Sequence, residues 1–507
     1  MRRFSWWLVF GVLMLCAPSV SAAVVEVGVD DNWCDAVNDA GPGDEVALGP
    51  GDHLDTCHIR AQGTEQDPVV IRSLDPEDPA HLAYDGTGAN TIEFRSESEH
   101  VVLRDLHFPG TAGPHAIRFH SPTDITVKNN HFEAIGGVTM SANFSDSNPQ
   151  RLNIVGNTMF DLDTTAIYFG CHDGVDDCHV TDATVEGNVI YGLESPGVGY
   201  GIQIKADSNA TIRDNAIFDT QGPGIMVYGT HQEEFEPSVI DGNLVVGSRT
   251  SGAILVGGGP AVVTNNVVGS ADTHGLHIYR HGEGAAHEGT YVAHNTVLEG
   301  DGSAIQVSDW PEDSNNALVN NAIAPGSHSD IGGSPEGQVE GNVTCDDPQE
   351  CFYAPDESPF SVAPLQEGPL ADAAPLDDDR YPEVDFMGNQ RGDSPFAGAL
   401  DAADEEGEPW LEIGSSRPDR VEESEDDDDD DEQPGDNGDD DNGDDDGDPD
   451  DDTSDDEQEE AAADAGCGCA ASAAEPGAVV VLLAALLLLA GLRRYGRSVR
   501  ESGRSVV

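Results

Sequence analysis

Only two lysines occur in the 507 residues, Lys128 and Lys205, and the second lies among groups that could work with it. A short alternation of apolar and variable residues recurs through the middle of the chain. It reads Ile117-Arg118-Phe119-His120, Val138-Thr139-Met140-Ser141, Ile167-Tyr168-Phe169-Gly170, Ile202-Gln203-Ile204-Lys205, Ile225-Met226-Val227-Tyr228, Ile254-Leu255-Val256-Gly257, Leu276-His277-Ile278-Tyr279 and Ile305-Gln306-Val307-Ser308. Alternate side chains of a strand share a face. Stacked strands would therefore show two solvent-facing columns. One is Arg118, Thr139, Tyr168, Gln203, Met226, Leu255, His277, Gln306; the other is His120, Ser141, Gly170, Lys205, Tyr228, Gly257, Tyr279, Ser308. Neighbours in a column would lie ~4.8 Å apart. Lys205 on such a face is a candidate base, provided burial or a nearby cation depresses its pKa. Tyr228 or His277 is the candidate proton partner. Arg118, His120, Tyr168, Gln203, Tyr279 and Arg280 could hydrogen-bond or stack on a ligand. The run from Thr273 to His281 is the densest group of such side chains.

One loop could hold calcium. Cys171-His172-Asp173-Gly174-Val175-Asp176-Asp177-Cys178 places Asp173, Asp176 and Asp177 close together one coil before Lys205. Three carboxylates are the hard oxygen donors that calcium takes, although the spacing is not that of an EF-hand. His231, Glu233 and Glu234 form a second polar loop after Tyr228, and Arg213 is expected on the next strand of the Lys205 coil. No phosphate-binding loop or Gly-x-Ser-x-Gly elbow stands in a strand-to-helix context.

What must position these groups is a repeat from about Ile125 to Val343. Its units are ITVKNNHF, LNIVGNTMF, ATVEGNVIY, ATIRDNAIF, VIDGNLVV, VVTNNVV, YVAHNTVL, LVNNAIA and VEGNVT. The marker asparagines, Asn130, Asn157, Asn188, Asn215, Asn243, Asn266, Asn295, Asn321 and Asn342, recur every 21 to 31 residues. A period of that size means one supersecondary unit per repeat, stacked on its neighbours. The units are β-branched runs broken by Gly, Asn and Asp, without a 3.6-residue apolar period, so they are strands and turns. The pattern predicts an all-β, single-stranded parallel β-helix of roughly ten to twelve coils, with the asparagines stacked as a turn ladder.

Composition narrows the partners. The formal net charge is -75, and a run from Glu422 to Glu460 is about two thirds Asp and Glu with no basic residue. Nucleic acid and anionic lipid surfaces are poor partners for such a chain. Residues 1–22 have the form of a signal peptide: Arg2 and Arg3, an apolar core from Trp6 to Leu15, and small residues at Val20-Ser21-Ala22. Export implies an oxidising compartment, where cysteines pair. The body cysteines fall into three close pairs, Cys34 with Cys57, Cys171 with Cys178 and Cys345 with Cys351; spacing alone does not prove that connectivity.

The segment DAVNDAGPGDEVALGPGDHLDTCHIRAQGTEQDPVVIRS, through Gly43-Asp44, Gly49 to Asp52, Gly63-Thr64 and Pro68 to Arg72, resembles the start of secreted right-handed β-helix proteins of the pectate, alginate and chondroitin lyase-like group. The resemblance implies a capping segment and first coils here. It also implies an extracellular acidic polysaccharide as partner, a lysine or arginine that takes the proton next to a uronate carboxylate, and calcium that neutralises the uronate. Paired aspartates of the polygalacturonase kind are missing, which argues against an inverting hydrolase.

The later part of the chain divides in three. Residues 356–412, with SPFSVAPLQEGPLADAAP and VDFMGNQRGDSPFAGALD, resemble the tail that closes bacterial β-helix proteins and are expected to form a strap or an end cap after a β-helix at 23–355. Residues 413–465 are too acidic and too poor in apolar groups to fold. In 466–507, Cys467-Gly468-Cys469, an apolar run at 478–492 and the cluster Arg493, Arg494, Arg497 and Arg500 resemble a myxobacterial-type C-terminal sorting signal, which implies a processing protease and attachment at the cell surface. A plain membrane anchor at the inner membrane is the other reading of the apolar run. Two functions stay open at this stage: a surface-tethered protein that binds acidic polysaccharide and cleaves it by β-elimination, and a non-catalytic adhesin or envelope solenoid.

Overall fold

The computed structural model describes residues 22–401 other than 85, 112, 172–177, 194–198, 233–234, 270, 283, 299–300, 313, 325–329, 355–360, 372, 374–379 and 393–394. The expected signal peptide, the calcium-loop residues Asp173, Asp176 and Asp177, the acidic linker, and Cys467 and Cys469 with the apolar run after them lie outside the described residues. Among the described residues no helix is long and apolar enough to cross a membrane.

Each repeat supplies one strand to each of three parallel sheets. The first sheet runs from Val24–Val27 to Gln338–Glu340, the second from Gly51–His53 to Val343–Thr344, and the third from Cys57–Ile59 to Ile331–Gly333. They hold 13, 12 and 11 strands, so among the described residues eleven coils carry all three faces. The core between the sheets is a set of stacked like residues. Ile167, Ile202, Ile225, Ile254, Leu276 and Ile305 follow one another on the third sheet, and all are buried. Phe108 stacks on Phe132 with ring centres 4.4 Å apart. Repetition of one residue type per position lets each coil pack on a copy of itself, which fills space without voids.

The asparagines are the rungs of a continuous ladder at the turn from the first to the second sheet. Asn215 is representative. Its Nδ2 donates to Val185 O at 2.9 Å, to Arg213 O at 3.0 Å and to Asn243 Oδ1 at 2.9 Å. Its Oδ1 accepts from the backbone N and the Nδ2 of Asn188, at 3.0 and 2.9 Å. The same pattern runs from Asn130 to Asn342. The residue before each rung has positive φ: Asn129, Gly156, Gly187, Asp214, Gly242, Asn265, His294, Asn320 and Gly341. That conformation suits Gly, Asn and Asp, which is why the repeat reads Gly-Asn, Asn-Asn or Asp-Asn. His294 is the exception, held by Phe396 O at 3.1 Å and by Asn320 Nδ2 at 3.2 Å.

The short helix Trp33–Asp39 covers the first coil with buried Trp33 and Val37, and Cys34–Cys57 ties it down. The other two disulfides are Cys171–Cys178 and Cys345–Cys351. Without a cover the first coil would expose its apolar core. The described residues between Cys345 and Leu400 pack on the outer side of the second sheet, where Cys351, Phe352, Val362, Leu370, Ala397 and Ala399 meet Ala216, Leu244, Val267, Leu298 and Ala322. Arg391, almost fully buried, fastens this segment through Asn265 Oδ1 at 2.6 Å and the carbonyls of Gly398 and Ala399 at 3.1 and 3.2 Å.

Candidate functional site

The third sheet brings the expected residues into register. Arg118 pairs with Ser141, Ser141 with Tyr168, Tyr168 with Gln203, Gln203 with Met226, Met226 with Leu255, Leu255 with His277, and His277 with Gln306. One rung differs from the sequence-derived stack: Ser141, not Thr139, follows Arg118. The strand before it begins at His115, which pairs with Val138. A slip of two residues preserves the inside–outside alternation, so the apolar pattern cannot reveal it.

Exposure is the larger correction. The middle of the face is not open to solvent: Gln203, Lys205, Met226, Tyr228 and Leu255 are each less than 5 % exposed. Tyr200, Ala206 and Tyr279 pack against Met226, Tyr228 and Leu255 to make a small apolar cluster outside the coils. The Lys205 ammonium lies 3.9 Å from the centre of the Tyr228 ring, a cation–π contact strengthened by the lack of competing water. The Tyr228 hydroxyl accepts from Gln203 Nε2 at 3.1 Å, while Gln203 Oε1 is buried without a hydrogen-bond partner. Gly170, at φ +90°, makes room beneath the lysine: a Cβ there would stand 2.9 Å from Lys205 Cβ and 2.5 Å from Ser208 Oγ.

His277 is not in this group. It lies two coils beyond Tyr228, ~10 Å along the axis, with Nδ1 2.6 Å from Ser251 O and its ring stacked on Tyr279 at 4.4 Å. Burial lowers its pKa against the pull of the Ser251 contact, with His274 adding to the shift. Arg280 is engaged with its own loop, its Nε donating to Gly284 O at 3.1 Å. Arg213 pairs with Glu186 at 2.8 Å on the first sheet, and His231 is held by Asp207 at 3.2 Å.

A second polar group sits three to four coils from Lys205, toward the N-terminal end of the same face. Glu93 accepts from Asn90 at 2.9 Å and Arg95 at 2.6 Å, and meets His120 at 3.0 Å. Burial pushes the Glu93 pKa up, but these hydrogen bonds and nearby His58 outweigh it and hold the carboxyl below its ordinary value. Arg118 donates to Asn143 Oδ1 at 3.3 Å and lies 5.1 Å over the Phe144 ring, with Nε buried and without a hydrogen-bond partner. Glu93 and Arg95 were not singled out from sequence. The strand Ile92–Phe94, which carries Glu93 and is followed directly by Arg95, has the same apolar–polar–apolar alternation as its neighbours, and extending the columns one coil back would have found both.

Residues 115–296 match the family described as a right-handed beta helix region. The described residues fold as a right-handed parallel β-helix. No curated protein matches it. Among solved structures, XylC in complex with xylose superposes with a TM-score of 0.52 at 9 % identity, over 75 % of this chain and 98 % of that one. Pectate lyase Pel9A gives 0.45 at 12 % identity over 76 % and 97 %. A mannuronic-acid-specific family 6 polysaccharide lyase from human gut microbiota gives 0.39 at 15 % over 63 % and 83 %. At these identities the likeness is one of fold, and a β-helix does not by itself fix an activity.

Proposed function

We propose that the outer face of the third sheet binds an extended acidic polysaccharide. The observation that carries this reading is the register: Arg118, Tyr168 and His277 fall in one column with His120 and Tyr279 beside it, all half-buried and all on one side of a strongly acidic protein. Rings, amides and guanidinium groups spaced by the coil repeat suit a linear glycan, and Arg118 and Arg95 suit its carboxylates. In this reading the chain is exported and tethered at the cell surface. A processing protease acts near Cys467 and Cys469, the apolar run 478–492 meets the membrane in the unprocessed form, and the acidic linker is a spacer.

A second reading, cleavage, is favoured by Lys205 and Tyr228 standing side by side, and it requires substrate to displace the ammonium from the Tyr228 ring and leave the amine neutral. Lys205 would take the proton beside the uronate carboxylate, the bond to the leaving oxygen would break, and Tyr228 would protonate that oxygen. The product would be an unsaturated sugar end. Calcium at Asp173, Asp176 and Asp177 would neutralise the carboxylate. Burial of the pair requires the Tyr200 cover to move before substrate can reach it.

The test is affinity electrophoresis and ultraviolet absorbance with alginate, pectate and chondroitin, with and without calcium, and dextran as neutral control. Retardation by a uronate polymer that Arg118→Ala and Tyr168→Ala both weaken at least tenfold supports binding. Equal mobility in all gels refutes it and leaves the adhesin or envelope-solenoid reading. Growing absorbance that Lys205→Met abolishes supports cleavage; binding without absorbance removes it.

A further inference from the structure

The second sheet carries a column of imidazoles on its outer side. His81, His107 and His131 pair in successive coils, with ring centres 5.0 Å apart at each step. Glu133 stands two residues after His131 on the same strand and so shares its face. Donor atoms of His107, His131 and Glu133 all lie within 4.8 Å of one another. His107 Nε2 is buried and makes no well-formed hydrogen bond; its nearest acid is Glu133 Oε2 at 3.4 Å.

We propose that His107, His131 and Glu133 bind one divalent transition-metal ion of borderline softness, with zinc as the representative case. Metal–nitrogen and metal–oxygen bonds of ~2.0–2.2 Å put the donors of a tetrahedral ion about 3.4 Å apart. The His107–Glu133 separation already has that value, so His131 needs only a side-chain adjustment. Two nitrogens and one carboxylate are poor donors for calcium and good ones for zinc, cobalt or nickel. The surroundings support a fixed site. The ring of Phe160 packs against His131 at 4.9 Å, and His81, held by Asp52 at 2.8 Å, backs His107 on the side away from His131. With Glu133 and His107 partly exposed at 29 % and 18 %, a fourth position stays open to water or to a ligand carboxylate.

The second sheet is a different face from the third, so this site stands or falls independently of polysaccharide binding. The experiment uses the whole chain, stripped with a chelator, dialysed and titrated with zinc against a chromophoric chelator in excess calcium. Cobalt(II) spectra supply a second readout. The expected result is one equivalent of zinc that calcium does not displace, with a visible cobalt band typical of four-coordination. His107→Gln and His131→Gln should each weaken zinc at least tenfold, with a smaller loss in Glu133→Gln and none in Lys205→Met. Circular dichroism at each titration confirms that the variants are folded. Zinc uptake that calcium removes, or that survives both histidine changes, belongs to the acidic segments and overturns the site. So does the absence of a cobalt band in the wild-type chain, which would leave the imidazoles as a stacking ladder only.

Discussion

Removing one amide from the middle of the asparagine ladder should be among the most damaging single changes to this fold. In Asn215→Ala the Oδ1 that accepts from Asn188 N and Nδ2 is lost, as are three donor contacts to Val185 O, Arg213 O and Asn243 Oδ1. Asn243 Oδ1 keeps the backbone N–H of residue 215 at 3.1 Å, and Asn188 Nδ2 keeps Ile154 O and Glu186 O. The group left stranded is the Asn188 backbone N–H, buried with no second acceptor within the ladder. An orphaned buried donor costs about 1–3 kcal/mol, and the lost bonds about 1 kcal/mol each at most. We expect a total of roughly 3–5 kcal/mol, since water cannot enter to replace the amide. For a solenoid of this size that is a fall of about 5 °C in melting temperature. Asn342→Ala, at the half-exposed last rung, should cost only about 1 kcal/mol because water can take over. The measurement is urea unfolding followed by circular dichroism, with thermal melts alongside. Equal losses at Asn215 and Asn342, or a loss below about 1 kcal/mol at Asn215, would mean that the ladder follows from the fold and does not hold it.

Acid should weaken the solenoid through its buried imidazoles. His115 has its pKa lowered from the ordinary 6.5 to about 4, by burial first and then by Arg118. The unfolded chain therefore binds the extra proton first. The stability that neutral His115 contributes is complete above pH 6.5 and lost as pH falls toward 4, up to about 3 kcal/mol; urea midpoints should drop across that window, less steeply in His115→Gln. Arg391→Met should free the segment that crosses the second sheet, because Asp401 loses its buried partner, at a cost of about 3 kcal/mol. Limited proteolysis should then cut between Arg380 and Asp401 before the coils, and unchanged protection would refute this. Gly170→Ala places a methyl at positive φ against Lys205 and should cost about 2–4 kcal/mol, with a change in Tyr228 fluorescence or chemical shift as the lysine is displaced.

The repeat was legible because two constraints coincide in it. A left-handed residue must precede an amide at every turn, so Gly, Asn or Asp followed by Asn marks each coil, and His294 alone departs from that choice. The stacking of Tyr168, Gln203 and His277 was legible from the two-residue alternation; the slip at Val138 was not, because it leaves that alternation intact. Burial of Lys205 was not legible either. Its neighbour Tyr228 lies in a cluster with Met226 and Leu255 that is packed by Tyr200 and Ala206, which lie in connecting segments without a period. The histidine column escaped notice because His107–Pro109 and His131–Glu133 are three-residue strands, the second reading as the end of an asparagine motif and the first lying one coil before the motif begins.

The residue after each rung has a further effect on how long the protein lasts. Asparagine ages when the next backbone nitrogen attacks the side-chain carbonyl and closes a succinimide ring. Here those nitrogens, at Thr158, Val189, Ala216, Leu244, Val267, Thr296, Ala322 and Val343, all donate to the asparagine carbonyl of the preceding coil at 2.8 to 3.0 Å. Eight asparagines, from Asn157 to Asn342, that would each be a site of slow chemical decay in a free peptide are thereby kept from cyclising, and isoaspartate should accumulate at other asparagines well before it appears there.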